Sequence, residues 1–133
     1  MAQFKEHGTL DIIVQGQILR IEGTGPWNLE SLQLSGHVAR PKVEPLLGKP
    51  WAVLVVLHGQ AIYVPEASAA LVDIVIEDKR HGRVASALVV ADCDSPHFSE
   101  LHISEIYNRA GEDFAFFENE ESAREWLLNK LPA

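Results

Sequence analysis

The sequence predicts an α/β fold: an N-terminal β-hairpin, then alternating strands and helices, giving a mixed, mostly parallel central sheet with about four helices. Three observations carry this reading. The chain opens with two β-rich stretches separated by Gln15-Gly16, the signature of a tight turn. Every later apolar segment alternates between strand-like and helical periodicity. The longest apolar run, Trp51-Ala52-Val53-Leu54-Val55-Val56-Leu57, suits a strand buried on both faces, as parallel sheets require. The 133 residues contain no linker, repeat or low-complexity tract, so one domain spanning residues 1–133 is expected.

The elements follow in order. Thr9 to Val14 and Gln17 to Glu22 form the hairpin, and Gly23-Thr24-Gly25-Pro26 breaks it. Trp27 to about Arg40 reads as a helix, with Pro26 near its first turn and Leu34 and Val38 one turn apart on its apolar side. Pro41, Pro45 and Pro50 mark an irregular connection to the strand Trp51–Leu57, and residues 58–64 read as a loop closed by Pro65. From Glu66, the residues Ala67, Ala70, Leu71, Ile74 and Val75 fall at helical spacing; Lys79, Arg80 and His81 match the negative end of that helix, and Gly82 suits its C′ position. Val84 to Ala91 is a further strand. Ser95-Pro96 starts a helix with an Ile103, Ile106, Tyr107, Ala110 stripe that Gly111 ends. Phe114 to Phe117 is a short strand. Asn119 caps a last helix carrying Ala123, Trp126, Leu127 and Leu131.

Composition excludes several functions. Eleven Lys and Arg stand against nineteen Asp and Glu, a net charge of −8. Such a chain lacks the phosphate-neutralising charge that nucleic acid binding draws on, and it is repelled by anionic lipid. No run approaches the ~20 apolar residues of a membrane span, so no membrane insertion is expected. Met1 to Gly8 has no signal-peptide h-region. One cysteine allows neither an internal disulfide nor a cysteine zinc site. A cytoplasmic protein is expected.

The sites of chemistry are sparse. The six histidines contain no i, i+4 pair and no His-Glu-x-x-His; His97 and His102 sit about 140° apart on a helix. His58 is the one to follow, because it stands at the end of the buried strand, where α/β sheets place ligands. Cys93 between Asp92 and Asp94 lacks the positive surroundings of a reactive thiol and reads as structural. Those two carboxylates end a strand, but no phosphate-binding glycine loop accompanies them; Gly23-Thr24-Gly25 lacks the third glycine and lysine of a P-loop. No cofactor or metal is implied, and no nucleophile–base pair marks an enzyme. Trp27 with the apolar triplet Ile62-Tyr63-Val64 has two readings: an exposed partner or ligand surface, or residues covering the edge of the core.

Several stretches carry a resemblance. Gly8-Thr9-Leu10-Asp11 with Gly16 at its turn, Gly25-Pro26-Trp27-Asn28, and the terminal Phe117-Glu118-Asn119-Glu120-Glu121-Ser122-Ala123-Arg124-Glu125-Trp126-Leu127 are together similar to the SpoIIAA-like branch of the STAS family, the anti-sigma-factor antagonists and their relatives. The resemblance implies a small non-enzymatic α/β domain that acts by protein–protein contact, with another protein or with a second copy of itself. Some relatives, and the topologically similar CRAL-TRIO proteins, are linked to apolar ligands, so a carrier of a small apolar molecule or lipid is the alternative. In the antagonists an Asp-Ser-Ser-Gly motif holds a phosphoacceptor at a helix N-terminus, where free N–H groups and the dipole favour a phosphate. Here the acceptor position falls on Glu66, with Ser68 nearby and no such motif. Glu66 is either a permanent anion at that position or an ordinary first-turn glutamate, which the helix dipole favours by about 0.3–1 kcal/mol. Ser68 is either a modifiable residue or a plain helix-surface serine.

Overall fold

In a computed structural model, residues 9–132 are described; Gly8 and the N-terminal stretch read for targeting lie outside them. The order is β1 (Thr9–Gln15), β2 (Ile18–Trp27), α1 (Leu29–Val43), a 3-10 turn (Glu44–Leu46), β3 (Trp51–Tyr63), α2 (Pro65–Arg80), β4 (Arg83–Val89), α3 (Pro96–Ala110), β5 (Phe114–Phe117) and α4 (Glu120–Lys130). The five strands form one sheet in chain order, β1 antiparallel to β2 and every later neighbour parallel. This is the mixed, mostly parallel α/β architecture expected from the alternation of elements.

The pleat sorts the core into two layers. Leu19, Val53, Val55 and Leu57 face α1, α2 and α3 through Leu32, Ala67, Val75, Ile103 and Ile106. The intervening residues Ile18, Ala52, Leu54, Val56, Ala85 and Ala87 face α4 through Ala123, Leu127 and Leu131. Alanines on both sides of the second layer let α4 lie close to the sheet. Trp51 to Leu57 is buried throughout, as a strand covered on both faces must be.

The strand-start end carries a buried polar network that no motif announces. Arg83 donates to Glu112 (Nε–Oε2 2.8 Å), Asp78 (3.0 Å) and Ser86 (2.8 Å), while the Ser86 hydroxyl donates to Glu112 at 2.6 Å and Lys79 reaches its other oxygen at 3.3 Å. The guanidinium also lies over the Tyr107 ring. Burial pushes the Asp78 carboxyl and the Tyr107 phenol up. The cluster ties α2, β4 and the turn before β5, and each charge has its partners in place, as a buried ion requires.

Several sequence-based boundaries are corrected. Gly23–Pro26 does not break the strand: β2 continues through it to Trp27, so Pro26 lies in a strand and α1 starts only at Leu29. Asn28 caps α1 in a reciprocal capping box with Ser31. Pro41 lies inside α1 rather than after it. Leu34 and Val38 are exposed, because the buried side of α1 runs through Ser31, Leu32, Ala39 and Val43 instead. On α2, Val72 takes the buried place expected for Ile74. Ser95 does cap α3 by position, without a side-chain bond, and Gly111 ends it in the left-handed region. The largest change is residues 58–64, expected as a loop. They belong to β3 up to Tyr63, with Ala61 and Tyr63 turned inward and Gln60 and Ile62 outward.

Gly25 explains how two strands run on together there. Gly25 pairs with Gly59 and Trp27 with Tyr63, so β3 carries two more residues than β2 across this step. A Cβ on Gly25 would lie 1.9 Å from the Gln60 carbonyl oxygen. Gly25→Ala is therefore expected to lose about 1–3 kcal/mol through overpacking, read by urea denaturation. Gly36→Ala, in open space on α1, is expected to gain roughly 0.5–1 kcal/mol. Equal effects of the two substitutions would contradict this account of the bulge.

Candidate functional site

The residues that the sequence grouped around the end of the central strand occupy different roles. Trp27, 1% exposed, and Tyr63 are core residues, stacked with ring centroids 4.8 Å apart. The reason is the strand pairing: Trp27 and Tyr63 are register partners, and Val64 N–H closes the ladder on the Trp27 carbonyl at 3.1 Å. Burial pushes the Tyr63 phenol up. Ile62 is half-buried and Val64 exposed. The triplet therefore divides, its middle residue holding the core and its outer two reaching the surface.

An aromatic column continues outward from this pair. His102 of α3 lies 6.4 Å from the Tyr63 ring, and Phe98 lies 6.1 Å from His102 with the planes nearly parallel. His102 is fixed by one bond: its Nε2 accepts the Tyr63 backbone N–H at 3.0 Å. An accepting ring nitrogen carries no proton, so this imidazole is neutral with its hydrogen on Nδ1, and burial pushes its pKa down. Phe98 is 51% exposed and Leu101, one turn on, 60% exposed. Phe98 and Ile62 share a cleft of about 90 Å³ with Gln60, Asp94 and Ser95. Phe98 and Leu101 escaped sequence reasoning because the buried stripe of α3 passes through Ile103, Ile106 and Tyr107, and these two lie off it; His102 counted there only as one of the scattered histidines.

Glu66 is exposed at the second position of α2, after Pro65. Ser68 is not a surface serine: it is buried, and its hydroxyl donates to the Tyr63 carbonyl at 3.2 Å. Its place one turn into α2 turns it against the end of β3, since residues 67, 68, 72 and 75 make the buried side. Cys93 is also buried, directed at the Leu57 carbonyl, and burial pushes its thiol up.

His58 lies on the α4 side of the sheet, between two carboxylates. Its Nδ1 is 2.6 Å from Asp92 and its Nε2 2.7 Å from Glu22. Glu22 also meets Arg20 at 3.1 Å, and Arg20 grips Glu120 of α4 through two bonds of 2.9 and 2.7 Å. Arg20 and Glu22 reach this side because they alternate with the core-facing Leu19 and Ile21; the i, i+2 spacing was visible in the sequence, their meeting with His58 was not. Both carboxylates are satisfied at once only when both nitrogens donate, that is, when the ring is an imidazolium. The bonds to Glu22 and Asp92 raise its pKa, and the bond from His58 lowers that of Glu22. The two carboxylates stand at opposite sides of the ring rather than around a common point, and among the described residues no group of His, Cys, Asp and Glu is arranged to hold a metal.

The sign of the pH dependence follows. A histidine with a folded pKa above its ordinary ~6.5 adds stability fully below that value and loses it as pH rises through the folded pKa. His58→Gln should therefore cost more at pH 6 than at pH 9, by no more than about 1 kcal/mol because the pairs are partly exposed. NMR titration should place the His58 midpoint above that of a free histidine, and Glu22→Gln should lower it. A midpoint at or below the free value contradicts the ion-paired geometry.

No family model matches the chain, and no curated protein matches it. Among solved structures, it is similar to the crystal structure, at 2.25 Å resolution, of an uncharacterized protein of the DUF3478 family with a SpoIIAA-like fold from Shewanella loihica PV-4. The two share 13% sequence identity over 91% of this chain and 94% of that one, with a TM-score of 0.63. Among the described residues, no helix is long and apolar enough to cross a membrane. The chain has a SpoIIAA-like α/β fold.

Proposed function

We propose that this protein is a non-enzymatic interaction domain that binds another protein through the surface where β3 meets the start of α3. One observation carries the reading: Phe98 and Leu101 stand exposed on successive turns of α3, Phe98 sharing its cleft with Ile62 and backed by the His102–Tyr63–Trp27 column. Large apolar side chains held on a rigid support are what partner surfaces use as anchors, since little freedom is lost on binding. The carrier reading is less favoured. Trp27, Leu32 and Tyr63 occupy the core between α1 and the sheet, the space that an apolar ligand would need. Cytoplasmic location belongs to this proposal.

Affinity capture followed by reconstitution from purified components tests it. A directly bound partner should be lost on Phe98→Ser with Leu101→Ser, with roughly 30-fold or greater loss of affinity as expected for an anchor. Leu128→Ser, an equally exposed leucine on α4, should leave binding intact. Partner binding that survives the double substitution in a folded protein overturns the assignment of this surface.

A further inference from the structure

The outer edge of β1 carries a second surface, independent of the one above. The Ala52 N–H bonds the Gln17 carbonyl, so the odd-numbered residues at the start of β2 turn their backbone groups toward β3. The even-numbered residues of β2 therefore serve β1, and their register partners there are Asp11, Ile13 and Gln15. It follows that Leu10, Ile12 and Val14 turn N–H and C=O away from the sheet. β1 is an edge strand, and among the described residues one group reaches this row: the Lys42 ammonium of α1 donates to the outward Ile12 carbonyl.

Lys42 also orients α1. Leu34, Val38 and Lys42 are spaced four apart and lie within about 80° of arc on the helix. Because Lys42 reaches the outer edge of β1, this stripe faces that edge. Leu34 is 62% exposed and Val38 52% exposed; Val14 of β1 is exposed on the same side of the sheet as α1, and Ile13 on the other. The edge is thus apolar along both its strand and its helix, with one cation at the middle.

We propose that this edge is a pairing site for a second copy of the chain, held closed by Lys42. The sequence of β1 supports that occupant. Antiparallel pairing about a two-fold axis at Ile12 sets Ile12 opposite Ile12 of the other copy, and Leu10 opposite Val14 in both directions. All these residues have outward backbone groups, so each pair can exchange both of its hydrogen bonds. Side chains also match: apolar faces apolar on the α1 side, and Asp11 faces Ile13 on the other, so no carboxylate opposes its own copy. The two α1 helices then flank the axis on one side of a ten-stranded sheet, each with Val38, one turn from Lys42, turned toward the other copy. The obstacle is Lys42, since its ammonium holds the central carbonyl and two such charges would meet at the axis. A lysine on an edge strand is a common block to this pairing.

Sedimentation equilibrium on Lys42→Met, Lys42→Arg and wild type tests the proposal across the micromolar to millimolar range. Lys42→Met should associate roughly tenfold or more tightly than wild type, the scale of a charge-assisted hydrogen bond no longer competing. Lys42→Arg should behave as wild type. Adding Val38→Glu to Lys42→Met should restore the monomer, and circular dichroism should show all variants folded. In the dimer, the amides of Leu10, Ile12 and Val14 should gain protection from hydrogen exchange. Unchanged association in Lys42→Met, association that survives Val38→Glu, or protection appearing away from β1 each overturns it.

Discussion

The pairing of β2 with β3 is the constraint on which the rest depends. Most parallel pairs end where one strand turns away toward its helix. Here the close approach of Gly25 to the Gln60 carbonyl lets both strands continue past a bulge of two residues. That continuation turns Trp27 and Tyr63 inward as stacked partners. Tyr63 in turn offers its N–H to His102 and its carbonyl to Ser68, locating α3 and α2 against the strand end. The exposed aromatic surface on α3 is a consequence of this backbone geometry.

Two ionic clusters sit at different depths and do different work. Around Arg83 the charges are buried and every partner is present, so the cluster fixes the geometry of the strand-start end more than it adds net stability. Around His58 the pairs are partly exposed, so they respond to pH and contribute little to stability. The imidazoles of His58 and His102 hold opposite states for a local reason: one faces two acceptors, the other faces a donor. Their titrations shift in opposite directions from the same ordinary value, His58 upward through its bonds to Glu22 and Asp92 and His102 downward through burial.

Much of the fold was legible because its signals are local. The buried run from Trp51, the Ile103–Ala110 stripe, Asn119 as a cap and Gly111 as a stop each depend on neighbours within a turn or two. What failed was long-range. Gly23–Pro26 and Gly59 carry turn chemistry, and nothing local says that each stretch finds a strand partner in the other. Leu34 and Val38 have helical spacing, but spacing alone does not say which side of α1 meets the sheet. The candidate site suffered the same limit. Tyr63 and Val64 were singled out, yet their separation into core and surface comes from the pairing of β3 with β2, and the arrival of Phe98 beside Ile62 from α3 docking some forty residues later. Arg83 and Glu112 are buried only because α2, β4 and the turn before β5 converge, which no motif records.

Amide hydrogen exchange across Gly59–Val64 tests the central claim most directly. If β3 runs on to Tyr63, the Tyr63 amide, bonded to His102, and the Val64 amide, bonded to Trp27, should open only with the unfolding of the sheet core. Their opening free energies should match those of Val53 to Val56. Exchange at these two amides orders of magnitude faster than in that strand, as a surface loop would show, would contradict the account.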